Sequence, residues 1–154
     1  AAFGGRPLPD RIRYDAREQR RIWEVLNANG NNENVDFVML GCPHAAIEQL
    51  REIAGLLEGR RVSAQLWIFT SRAVRDQAQA EGLIAIIKAA GGLVLTDTCS
   101  AIGNAVPPGT RVVALDSAKQ THYLPAIMGL EAWFGTTAEC IDAAVTGRWR
   151  GDAP

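Results

Sequence analysis

Cysteine and histidine are scarce in this sequence: three cysteines, at positions 42, 99 and 140, and two histidines in 154 residues. Three widely spaced thiols make no disulfide framework, so a stapled secreted scaffold is not expected and the default compartment is the reducing cytoplasm. Net charge is scarce as well. Sixteen Lys and Arg against 17 Asp and Glu leave −1, and so weak a field points to neither nucleic acid nor an anionic membrane as a partner. Apolar runs are short and interrupted, which excludes a bilayer-spanning helix. Internal repeats and low-complexity tracts are missing. The opening AAFGGRPLPD has no initiator Met, basic n-region or apolar h-region, so it does not read as a signal peptide, and a longer parent chain is expected. What remains is ordinary for one globular domain: 47% hydrophobic and 21% charged residues, ample for a single buried core.

Residues 1–14 are rich in Gly, Pro and Arg and read as a linker. Asp15 with Glu18 three residues later is a helix start, and Ile22, Trp23, Val25 and Leu26 give that helix an apolar side. Residues 27–34 are nearly all polar and form a loop. From residue 35 onward short apolar runs alternate with helical periodicity. Strands are expected at 35–40, 66–69, 93–95, 111–115 and 131–134. Helices are expected from Ile47 to near Gly59, from the Ser71 cap to Ala90 with a break at Gly82, and from Thr137 to Thr146 before Gly147. Residues 97–110 carry little helix signal. Apolar strands separated by helices imply a parallel sheet covered on both faces. The expected fold is therefore a three-layer αβα domain over 35–150, with a mainly parallel sheet of four or five strands. Residues 1–34 supply a linker and leading helix. The simplest strand order is the flavodoxin-like 2-1-3-4-5.

In such sheets ligands bind beyond the carboxyl ends of the strands. Those ends carry Gly41-Cys42-Pro43-His44, Thr70-Ser71-Arg72, Asp97-Thr98-Cys99-Ser100, Asp116-Ser117-Ala118-Lys119 with His122 and Tyr123, and Gly135-Thr136-Thr137. Both histidines and two of the three cysteines fall on this rim, while the opposite rim has turn residues only. With strands one and three as neighbours about 4.8 Å apart, the sulfurs of Cys42 and Cys99 would meet, and two thiolates suit a metal ion or iron–sulfur cluster. A helix opening at Pro43 would also lend its dipole to Cys42. The plainer alternative is that both are small core hydrophobes, as Cys140 is expected to be beside Ile141 and Ala144. His44 either supports a ligand or caps a helix, and Ser71 is a helix cap in any case. Arg72, Lys119 and His122 either hold an anionic group or lie in solvent. The four tryptophans, at 23, 67, 133 and 149, are expected to pack. No GxGxxG follows the first strand, which counts against a nucleotide-binding flavodoxin type. From the residues alone the reading ends at a metal or anion site on an α/β domain.

Several runs carry a resemblance: GCPH at 41–44, LWIFTSRAV at 66–74, GG at 91–92 with TDTC at 96–99, SAK at 117–119 with HYLP at 122–125, and ECIDAAVTGRW from 139 to 149. Together, in order and at compatible spacing over about residues 35–150, they resemble the aconitase X family. The resemblance implies the carboxy-terminal part of a catalytic region. It implies a hydro-lyase that removes water from a small hydroxy acid such as cis-3-hydroxy-L-proline, or alternatively mevalonate 5-phosphate. It also implies an iron or iron–sulfur centre with Cys42 and Cys99 among its ligands and a further Cys upstream. Candidate substrate-binding residues are then His44, Ser71, Arg72 and Ser117, with Arg72 and Lys119 on the carboxylate. Candidate catalytic residues are Lys119, His122 and Tyr123. Implied partners are the rest of the large catalytic region and a small swivelling domain or subunit carrying the serine base. The alternative from another class is a non-enzymatic metal- or anion-binding module.

Overall fold

In the computed structural model the described residues are 4, 12–103 and 105–153. The expected linker falls mostly on residues 1–3 and 5–11, outside them. The elements in chain order are α1 (Ala16–Asn27), β1 (Phe37–Ala45), α2 (Ile47–Leu57), β2 (Gln65–Thr70), α3 (Arg72–Ala80), α4 (Leu83–Ala90), β3 (Leu93–Thr96), α5 (Ser100–Gly103), β4 (Val112–Leu115), α6 (Ala118–Met128), β5 (Glu131–Phe134) and α7 (Thr137–Thr146). The five strands form one parallel sheet, as the apolar runs require. Its order, however, is β3-β2-β1-β4-β5, which corrects the expected 2-1-3-4-5.

The order follows from the connections. β1 runs through α2 to β2, and β2 through α3 and α4 to β3, stepping outward in one direction. From β3 the chain returns across β2 and β1 to β4, then continues through α6 to β5. Right-handed crossovers in opposite directions lie on opposite faces. Accordingly α2, α3 and α4 pack together and with α7, while α6 packs on β4 and β5 with α1 and α5 beside it. Strand alternation feeds both cores. Val38 and Leu40 join Leu50, Ile53, Ile87 and Ile141 on one face; Phe37 and Met39 join Phe69, Leu115 and Leu124 on the other. Each such fully buried side chain contributes about 1.5–3 kcal/mol of transfer free energy.

Caps set the helix starts. Ser71, Ser117 and Thr136 accept backbone N–H bonds from Val74, Gln120 and Glu139. Gly82, in the left-handed region, separates α3 from α4. α1 is docked by Asn27, whose amide donates to the carbonyls of Trp23 and Phe134 at 3.0 and 3.1 Å and whose Oδ1 accepts from Phe134 N–H at 2.8 Å. The tryptophans with ring partners pack as expected: Trp133 stacks on Trp149, and Trp67 meets Phe37 and Phe69 edge to face.

Candidate functional site

The connections part in opposite directions between β1 and β4, and that is where a parallel sheet opens a crevice. Here β1 does not simply end. Leu40 pairs with Ile68 and Ala45 with Thr70, so residues 41–44 swell outward opposite Phe69 alone. The expectation of a helix opening at Pro43 is therefore corrected: Pro43 lies in this bulge, behind a cis Cys42–Pro43 peptide, and α2 starts only at Ile47. Cys42 is outside the reach of that helix's first turn, where the dipole acts. Gly41 makes the bulge possible. Its φ is +85°, and a Cβ there would drive into the Phe69 carbonyl oxygen and approach Ala45 N at 3.1 Å. Across the crevice Asp116, at the end of β4, accepts hydrogen bonds from Thr137 Oγ1 at 3.2 Å and from the Gly41 backbone N–H. Burial raises its carboxyl above the usual range, and these two donors offset part of the shift.

Cys99 reaches the same place by a different route. β3 lies at the sheet edge, two strands from β1, so adjacency of strands does not bring the thiols together. The returning crossover does: it leaves Thr96, turns through Asp97 in a left-handed conformation (φ 56°), and packs α5 against α6. The meeting point is Gln120. Ser117 Oγ caps α6 by accepting from Gln120 N–H at 3.4 Å, and the Gln120 side chain, only 4% exposed, lies between the thiols. Its Nε2 is 3.2 Å from Cys42 Sγ and 3.9 Å from Cys99 Sγ. Those two distances cap the sulfur–sulfur separation at about 7 Å. Gln120 Oε1 is buried without a partner. The sequence reading did not single out Gln120. A signal was there, because positions 117, 120, 124 and 128 share the inward face of α6 and Gln120 is a polar member of it.

Around the thiols opens a cleft of about 370 Å³, lined in part by His44, Asp97, Lys119 and Tyr123. His44 is tied by Nε2 to the Thr98 carbonyl at 3.3 Å. Tyr123 is half exposed. His122 lies elsewhere: it faces a groove against Val25 and Ala28 on the α1 side of α6, and meets the cleft only through an edge-to-face contact with Tyr123. Ser71 is occupied as the α3 cap, and Ser117 as the α6 cap. Arg72 sits beside the cleft rather than in its lining. Its backbone N–H and Nε each donate to Asp97 at 3.1 Å, with Nη2 at 3.0 Å. Cys140 is fully buried in the core. Burial, with Asp116 and Glu139 nearby, pushes its thiol well up, and it is a core residue, as expected. None of the three cysteines is in a disulfide. Among the described residues no group of three or more His, Cys, Asp or Glu side chains could hold a metal ion.

A parallel α/β sheet with a thiol-bearing cleft at its crossover reversal defines the class of domain. Residues 35–146 match the family described as the aconitase X third domain, and the chain belongs to the aconitase X family. It is 38% identical over 152 residues to a cis-3-hydroxy-L-proline dehydratase of Pseudomonas aeruginosa, covering 96% of this chain and 26% of that protein. It is 35% identical over 123 residues to a phosphomevalonate dehydratase large subunit of Methanothermobacter thermautotrophicus, covering 80% and 30%. The crystal structure of Thermococcus kodakaraensis aconitase X, in its holo-form, superposes with a TM-score of 0.67 at 27% identity, over 79% of this chain and 32% of the other. The chain thus spans about a quarter to a third of the length of the relatives it matches. No helix among the described residues is long and apolar enough to cross a membrane.

Proposed function

We propose that this chain forms one wall of the active site of an aconitase X-type dehydratase. The substrate is a small hydroxy acid, with cis-3-hydroxy-L-proline first and mevalonate 5-phosphate second. The observation that carries the reading is the convergence of Cys42 and Cys99 on one buried amide at the cleft. The 38% identity to a hydroxyproline dehydratase over nearly the whole chain supports the order of substrates. On this reading residues 35–150 are one domain of a larger catalytic region, and a swivelling domain closes the cleft. The compartment is the cytoplasm, where thiol ligands stay reduced.

The two thiols fit an iron or iron–sulfur centre as a partial ligand set, completed by a cysteine from elsewhere in the protein. Bound there, the centre supplies a Lewis acid that makes the substrate hydroxyl a better leaving group. The chain's own side chains do the rest of the holding. Lys119 offers an ammonium group to the carboxylate, and Arg72 offers a second cation from the rim if it turns from Asp97. Tyr123 lines the cleft and offers its hydroxyl to orient the leaving group. His122 reaches it only through Tyr123. His44, anchored on the Thr98 carbonyl, steadies the two loops that carry the cysteines. Removal of the α-proton by a base on the swivelling domain and departure of the hydroxyl together release one water and leave a carbon–carbon double bond.

The test uses the full-length protein, purified anaerobically and assayed for iron, sulfide and dehydration of both substrates. Cys42→Ser and Cys99→Ser are each expected to lose iron and activity together, whereas Cys140→Ser keeps its iron and loses about 1–2 kcal/mol of stability through the buried hydroxyl. Iron retained at wild-type level in either of the first two variants sinks the assignment.

A further inference from the structure

Gln120 puts a polar side chain at a buried position that leaves it partly unsatisfied. It lies on the inward face of α6, 4% exposed, and its Oε1 is buried with no hydrogen-bond partner. An unmatched buried acceptor is destabilising, and a methionine would fill nearly the same volume without it. A buried unsatisfied group calls for another explanation, and a second one, Ser100 Oγ, lies next to Cys99. The other end of the same amide gives one. Nε2 carries two hydrogens and faces two sulfurs, at 3.2 Å from Cys42 and 3.9 Å from Cys99. The residue is held in register from below by the Ser117 cap, which accepts its backbone N–H.

We propose that Gln120 is a positioning residue for the iron centre, its amide N–H group hydrogen-bonding to both ligand sulfurs. The proposal rests on the reading of Cys42 and Cys99 as ligands. Hydrogen bonds to ligating sulfur draw electron density away from the metal, which raises its reduction potential and sharpens its Lewis acidity. They also hold the two sulfurs at a fixed separation, although one comes from the β1 bulge and the other from the start of the β3–β4 crossover.

The experiment uses the full-length enzyme loaded with iron under anaerobic conditions, with Gln120→Met to remove the donors at similar volume and Gln120→Glu to replace them by a carboxylate. The midpoint potential and the sulfur-to-iron charge-transfer band are read by spectroelectrochemical titration, alongside iron stoichiometry and a thermal melt. Both variants are expected to lower the potential, Glu more than Met, and to move the band to longer wavelength. Loss of iron from both, with the melt of the iron-free variants equal to that of iron-free wild type, supports the role equally, because only the positioning of the ligands has gone. A Gln120→Met enzyme that holds iron with an unshifted potential and band overturns the proposal and leaves the ligand assignment intact. If Cys42→Ser holds wild-type iron, the assignment itself falls and this proposal with it.

Discussion

Gly41→Ala is the sharpest test of how the fold builds the site. Two costs are separable. The first is conformational: φ is +85°, and an L-residue in the left-handed region costs about 1–2 kcal/mol. The second is steric. The new methyl would enter the Phe69 carbonyl and press on Ala45 N, both backbone atoms of the paired strands β1 and β2. Neither can swing aside as a flexible side chain does, so the bulge must move, at the roughly 1–3 kcal/mol typical of overpacking. Gly59 isolates the first cost: its φ is +70° and a Cβ there meets nothing within 4 Å. Gly59→Ala should therefore lose about 1–2 kcal/mol, and Gly41→Ala about 2–5 kcal/mol, both read from urea unfolding at constant m-value. Gly41 also adjoins Cys42, so on the proposed ligand role of Cys42 the displaced bulge should lower iron content in the full-length protein, which Gly59→Ala leaves untouched. Equal destabilisation by the two substitutions would show that the close approach to Phe69 carries no energy, and the reasoning fails.

Other outcomes are as specific. Asn27→Ala strands the Phe134 N–H and carbonyl and should cost about 2 kcal/mol in urea unfolding; a loss under about 0.5 kcal/mol would mean that α1 docks through its apolar side alone. Asp116 titrates higher folded than unfolded, so the folded state holds more protons above the ordinary carboxylate range and stability falls as pH rises through that window. Asp116→Asn should remove this fall, and parallel stability–pH curves for the two proteins would refute it. Arg72→Ala in the full-length enzyme should lower kcat/KM by about 2 kcal/mol of transition-state stabilisation; an unchanged value would leave Arg72 as the partner of Asp97 and nothing more, an exposed pair of little energetic weight.

Most elements were legible because each signal is local. Val38, Leu40 and Ile68 sit in runs too apolar for a solvated strand, and Ser71, Gly82 and Gly147 punctuate the helices by chemistry that does not depend on tertiary context. The helix α6 is not among those expected: Pro125 lies inside it, and Pro disfavours a helix interior. Strand order was not legible. In a parallel sheet it is decided by where each crossover lands, and the described residues of 97–111 hold only a one-turn helix, with no length or periodicity to say whether they span one strand or two. The bulge at 41–44 was hidden for a related reason. Gly-Cys-Pro reads as a turn into a helix, and only the Phe69 carbonyl across the strand pair dictates a detour before α2.

The site shows how a right juxtaposition can follow from a wrong topology. Cys42 and Cys99 were expected to meet because strands one and three would be neighbours; they meet although those strands are not, because the crossover from β3 must pass the reversal point to reach β4. In the observed order the start of that crossover is therefore carried toward the mouth between β1 and β4. The same logic separates the residues of α6. Consecutive helix positions differ by about 100°, so Lys119, Gln120 and Tyr123 face the cleft region while His122, two positions from Gln120, turns toward α1. Reading SAKQTHY as one polar cluster lost that distinction. Counting from the Ser117 cap recovers it, and assigns to Gln120, rather than to the more reactive His122, the place beside the sulfurs.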